Sequence, residues 1–246
     1  DAQESRGLGD VYKRQPNSIT CCNLISGCIA IGFAFAGKIE VALLFIIIGA
    51  VFDFFDGMVA RLLNVSSPIG KELDSLADVI TFGAAPSAII FSQLYVMSYP
   101  VFLEPLRDYL PYTAFIIAAF SALRLATFNL DERQALGFIG LPTPANALFW
   151  GSLLVGVGEK LETRPWVLYF LLAGILISSW LLVSEIPMFA LKFKHWSFKG
   201  NEVKYLFLIT CCPLVVIFGI SSFAIIIAWY VIPVSYTHLR AHETPE

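Results

Sequence analysis

The spacing of its charges constrains this chain more than any other feature. Residues 15–37, 79–103, 134–158, 165–184 and 205–239 contain no Asp, Glu, Lys or Arg. Crossing a hydrocarbon layer takes roughly 20 mostly apolar residues as a helix. Inside that layer the backbone finds no water, so such runs fold as helices. Charged residues are 14% of the chain, against roughly 25% in soluble domains, and mean hydropathy is +0.74. No period-2 strand pattern and no short internal repeat is present. The expected fold is all-α, a polytopic transmembrane helix bundle.

Helical segments are expected near 20–36, 40–63, 75–96, 111–129, 144–158, 166–186, 204–219 and 220–233. That is about eight helices, or seven if residues 204–233 form one long helix kinked at Pro213 and Gly219. The two ends are of another character. Residues 1–15 (DAQESRGLGDVYKRQ) and 234–246 (VSYTHLRAHETPE) are polar, patternless, and resemble translated adapter sequence. They are expected to be non-native tails flanking one membrane domain over 16–233. A net charge of −3 with no basic run argues against nucleic acid as a partner. Cys21, Cys22, Cys28, Cys211 and Cys212 lack metal-ligand spacing and are expected to be small buried residues.

Lys and Arg set orientation. One side collects Arg61, Lys71, Arg124, Arg133, Lys192, Lys194, Lys199 and Lys204, and the other Lys38, Arg107, Lys160 and Arg164. The connections after helices two, four and six are therefore expected in the cytoplasm. The Lys192–Lys204 stretch either attracts anionic lipid headgroups or serves orientation alone.

The chemistry concentrates between Asp53 and Asp78, DFFDGMVARLLNVSSPIGKELDSLAD. Asp53 and Asp56, three apart, share a helix face, as do Asp74 and Asp78, four apart. A short connection containing Pro68 and Gly70 joins the two helices as an antiparallel hairpin, so the acidic pairs point at each other. Four converging carboxylates repel strongly where the dielectric is low, and Arg61 alone offsets too little. Bound divalent metal resolves the conflict, and hard oxygen ligands favour Mg²⁺, Mn²⁺ or Ca²⁺ over zinc. Gly57 and Ala60 either leave room for a flat group beside the acids or allow close helix packing.

These residues spell D-x-x-D-G-x-x-A-R, eight residues, then G-x-x-x-D-x-x-x-D, filled by Asp53, Asp56, Gly57, Ala60, Arg61, Gly70, Asp74 and Asp78. The pattern resembles the signature of the CDP-alcohol phosphatidyltransferase family. The stretches PNSITCCNLISG, ELDSLADVITFGAAPS, SALRLATFN and GFIGLPTPAN resemble its phosphatidylserine synthase branch, although Thr127 stands where many members carry a basic residue.

The resemblance implies two divalent ions held by Asp53, Asp56 and Asp74, with Asp78 as a further ligand and as the base that takes the acceptor's proton. It implies CDP-diacylglycerol and L-serine as substrates, CMP and phosphatidylserine as products, and a homodimer in the bacterial or archaeal plasma membrane with its active site facing the cytoplasm. Gly57, Ala60, Arg61 and Gly70 would adjoin CDP-diacylglycerol. Asn17 and Thr20 either contact the nucleotide or mark a helix start. For serine, Arg124 suits the carboxylate and Asn129 the ammonium; the alternative for Arg124 is snorkelling or pairing with Asp131 or Glu132. Glycerol 3-phosphate or inositol is the alternative acceptor, and a cation transporter with an acidic intramembrane site the alternative class.

Overall fold

The computed structural model describes residues 2–63, 67–130, 138–161, 164–188, 210–211, 213–217 and 219–229. The chain is a helix bundle, as expected. Helix α1 spans Ala2–Phe35, α2 Ile39–Leu62 and α3 Pro68–Asp78. A π-helical segment, Val79–Ala84, carries α3 straight into α4, Ala85–Val96. Then come α5 (Phe115–Leu130), α6 (Thr143–Leu161), α7 (Val167–Val183) and an apolar helical stretch at Gly219–Trp229. The stretches Asn17–Phe35, Ile39–Leu62, Pro68–Val96 and Leu110–Leu130 are each long and apolar enough to cross a membrane. The protein is therefore an integral membrane protein.

Two helix boundaries differ from expectation for local reasons. Helix α1 begins at Ala2, so the polar stretch before residue 16 continues the same helix. Pro68 and Gly70, expected in a connection, lie inside α3. Ser67 caps that helix by accepting from Gly70 N–H at 2.9 Å, and Pro68 occupies the first turn, where a missing N–H costs nothing. Between α1 and α2, Lys38 N–H returns to Phe33 O at 2.9 Å and Gly37 N–H to Ala34 O at 3.0 Å, with Gly37 at φ +73°. This is a Schellman stop, which requires the left-handed conformation that glycine adopts freely.

The centre of the bundle is built from small residues and a few large ones. Ala30, Ala34, Ala42, Ala85, Ala88 and Ala147 are buried together with Ile46, Phe82, Ile89 and Trp150. Small side chains let helix backbones approach closely, the usual packing device in a solvent as apolar as the core itself. Phe54, Leu76, Phe170 and Trp180 point outward, which suits lipid and not water. Cys21, Cys22 and Cys28 are also exposed, contrary to the expectation of burial, and Cys211 is half-buried; a small apolar side chain facing lipid carries no penalty. Cys212 lies outside the described residues, as do the Lys192–Lys204 stretch, Asp131, Glu132 and Arg133.

A two-residue antiparallel ladder, Phe138–Ile139 with Pro187–Met188, is the one strand pairing among the described residues. It pins the approach to α6 against the end of α7. Gly140 N–H donates to Ile186 O and Leu141 N–H to Leu181 O, each at 2.9 Å. Gly140 has φ +75°, and a Cβ there would sit 2.9 Å from Leu182 O.

Candidate active site

Three carboxylates meet between α2 and α3. One oxygen from each of Asp53, Asp56 and Asp74 lies within 4.8 Å of the others. Asp56 is buried, and Asp53 and Asp74 are half-buried. Asp78, one turn further along α3, is buried and held separately: its Oδ1 accepts from Asn23 Nδ2 at 3.2 Å. Among the described residues no ion pair reaches any of the four. Two like charges about 4 Å apart repel by ~4 kcal/mol at an effective dielectric of about 20.

Helix α1 supplies side-chain hydrogen-bond donors, Thr20 and Asn23. Thr20 Oγ1 donates to Asp56 Oδ2 at 2.6 Å. Both Thr20 and Asn17 sit well inside α1, so neither marks a helix start. Asn17 faces the beginning of α3, where a Cβ on Gly70 would fall 3.1 Å from Asn17 Oδ1 and 2.9 Å from Ser67 Oγ. Gly70 thus permits the close approach of α1 and α3. Gly57 is different. A Cβ there would meet only the Arg61 guanidinium, at 3.8 Å. Among the described residues no second helix packs on Gly57, so the space beside Asp56 is open. Ala60 is half-buried and Arg61 exposed on the same rim.

The residues expected to bind serine divide. Arg124 is 8% exposed, with its guanidinium 5.8 Å from the Phe128 ring and its charge within reach of Asp78. Its Nε is buried and has no hydrogen-bond partner; it does not snorkel. Asn129 serves the α3–α5 contact: its Nδ2 donates to Ser75 Oγ at 2.7 Å, and its backbone carbonyl accepts from Lys71 Nζ at 3.0 Å. Thr127 is exposed and donates to Leu123 O within its own helix.

A sequence profile described as CDP-alcohol phosphatidyltransferase matches residues 14–191. The chain belongs to the CDP-alcohol phosphatidyltransferase family. It is 37% identical over 188 residues to the CDP-diacylglycerol–serine O-phosphatidyltransferase of Bacillus subtilis, covering 76% of this chain and 93% of that protein. It is 31% identical over 215 residues to the protein of that name from Methanocaldococcus jannaschii, covering 85% and 86%. A Mycobacterium tuberculosis protein of the same name is 33% identical over 183 residues, covering 70% of this chain and 60% of the relative.

The metal implied by the CDP-alcohol phosphatidyltransferase family fits the residues present. The trio offers oxygen ligands only, which suits a hard divalent cation. Asp74 Oδ1 is buried without a hydrogen-bond partner, the condition of a ligand atom whose partner is an ion. Two residues that support the acidic cluster escaped the sequence reading, Asn23, which donates to Asp78 Oδ1, and Thr81. Thr81, in the π segment, donates to Asn23 O at 3.0 Å. π-Helical turns concentrate at functional sites, and this one begins directly after Asp78. Polar residues inside apolar helices were the available signal.

Proposed function

We propose that this protein transfers the phosphatidyl group of CDP-diacylglycerol to the hydroxyl of L-serine. The products are CMP and phosphatidylserine. The observation that carries this reading is the meeting of Asp53, Asp56 and Asp74 with Asp78 one turn further along α3. It is supported by similarity, over most of the chain, to proteins named for that reaction.

Asp53, Asp56 and Asp74 would hold the divalent metal, Mg²⁺ or Mn²⁺ with Ca²⁺ as an occupant, and Asp78 would adjoin a second ion. Bound there, the cations would neutralise the diphosphate and stabilise charge developing on the phosphoryl oxygens. The chain's own residues do the rest. Gly57 and Ala60 leave space for cytidine, with Arg61, Gly70 and Asn17 around it, and Thr20 fixes Asp56. Arg124 takes the serine carboxylate. Asp78 accepts the serine hydroxyl proton through its Oδ2, since Oδ1 is engaged by Asn23. The serine oxygen bonds to the phosphorus bearing diacylglycerol, and the bond from that phosphorus to the CMP oxygen breaks. CMP leaves with the electron pair.

The Asp-bearing end of the bundle faces the cytoplasm in this reading, on the Lys and Arg distribution, and the protein acts as a homodimer with one catalytic domain over 16–233. The test is CMP release by purified protein given CDP-diacylglycerol and, separately, serine, glycerol 3-phosphate and inositol. Serine should support the fastest release. Release with another alcohol and not with serine overturns the acceptor assignment.

A further inference from the structure

We infer that Asn146, in the first turn of α6, recognises the zwitterionic head of the acceptor, its amide N–H donating to the carboxylate and its amide oxygen accepting from the ammonium. This rests on serine being the acceptor. Asn146 is 0% exposed, and neither Nδ2 nor Oδ1 has a hydrogen-bond partner. A buried amide with both ends unpaired is costly and rare, and each case calls for a ligand or an ordered water.

Its position along the bundle points to the ligand. Successive spans alternate in direction, so α6, the third span after α2, runs opposite to it, and Gly151 of α6 packs on Leu43 of α2, where a Cβ would come 2.7 Å from Leu43 Cδ1. At about 1.5 Å per residue, stepping back from Gly151 to Asn146 matches stepping forward from Leu43 almost to Gly49. Gly49 touches Asn23 and Thr81: a Cβ there would lie 3.0 Å from Asn23 Oδ1 and 2.5 Å from Thr81 Cγ2. Asn146 thus shares a layer with the residues that hold Asp78. Ser121 of α5 lies close to the same layer, its Cβ 3.1 Å from a Cβ built on Gly83. One turn on is Arg124. Ser121 Oγ and Arg124 Nε are buried and unpartnered too. Unsatisfied donors and acceptors from α5 and α6 therefore gather at the level of Asp78.

The chemistry of that set matches a small zwitterion. An α-amino acid presents an anionic acceptor and a cationic donor about one residue's width apart. A primary amide presents the complementary donor and acceptor. Asn129 is instead tied into the α3–α5 contact, one Nδ2 N–H given to Ser75 Oγ and its backbone carbonyl to Lys71 Nζ. A neutral amide also adds no charge beside Asp78, as a net-neutral ligand requires. A phosphorylated alcohol would leave the amide oxygen facing phosphate oxygens, acceptor against acceptor.

The test is steady-state CMP release by the metal-loaded protein, with serine and CDP-diacylglycerol varied separately. Asn146→Ala should raise the KM for serine by about ten- to a hundredfold, the loss expected for hydrogen bonds to charged groups. Its KM for CDP-diacylglycerol should stay within about twofold. Asn146→Asp keeps the shape and the acceptor but meets the carboxylate with a negative charge. Its preference for ethanolamine over serine should rise by about tenfold or more. Unchanged serine KM in both variants overturns the assignment. So does a parallel rise in both KM values, or loss of folding in both, since either marks Asn146 as structural. Failure of the unmodified protein to use serine, while it uses another alcohol, overturns the acceptor reading itself and this inference with it.

Discussion

Thr20 on α1 donates a 2.6 Å hydrogen bond to Oδ2 of Asp56 on α2. The bond fixes which Asp56 oxygen is left for a ligand. It ties a helix that carries no acid of its own in the site to the geometry of the acidic trio.

Removing that donor should loosen the trio without removing a carboxylate. Thr20→Val preserves shape and loses the hydroxyl. Partners that orient metal ligands are worth about 10–100-fold in metal affinity. Mn²⁺ titration of Thr20→Val should show weakening of that order, and Thr20→Ser should restore affinity to near the original. Equal Mn²⁺ affinity in all three proteins refutes the orienting role.

Asp78→Asn keeps the size of the side chain and can still pair with Asn23, but it accepts no proton. A general base contributes about 10²–10⁴-fold. CMP release should fall by that factor while Mn²⁺ binding by Asp53, Asp56 and Asp74 persists. A folded Asp78→Asn protein with near-normal turnover would place the base elsewhere.

Metal removal should silence the protein. Excess chelator is expected to abolish CMP release, and Mg²⁺ or Mn²⁺ to restore it. Asp53→Ala, Asp56→Ala and Asp74→Ala should each lose Mn²⁺ binding measured by calorimetry. Full turnover in chelator contradicts the metal assignment outright.

Gly49→Ala tests the packing beneath the site. The added methyl meets Thr81 Cγ2 at 2.5 Å and Asn23 Oδ1 at 3.0 Å. Overpacking of this kind costs about 1–3 kcal/mol. Thermal unfolding in detergent should move to lower temperature, and turnover should fall because Asn23 holds Asp78. An unshifted transition would mean that α1, α2 and the π segment stand further apart than described.

The spans and the acidic motif were legible because both are local. A charge-free run reads as a helix from its length alone, and Asp53, Asp56, Asp74 and Asp78 declare their shared faces through spacings of three and four. The supports of the site are not local. Asn23 and Asp78 are 55 residues apart in sequence, and Thr81 reaches back across 58 to Asn23 O. Nothing in an apolar helix marks which of its polar residues will find such a partner. Asn129 shows the reverse case: its place five residues after Arg124 suggested a shared role, and Ser75 and Lys71 claimed it instead. The start of α3 was legible in kind, since Ser67 and Pro68 are a cap and a first-turn proline, but the pair read equally well as a loop.

The π segment between Asp78 and α4 acts as a phase shifter. A π turn holds a residue more than the α turn it replaces, so the acids before it and the core-packing residues after it keep separate angular registers on one continuous rod. Wound instead as plain α-helix with no residue lost, Val79–Ala84 would swing the preceding stretch by about 100°. Asp74 and Asp78 would then leave the face they share with Asp53 and Asp56, although every residue of the signature was still present. The motif's arithmetic extends past its last aspartate.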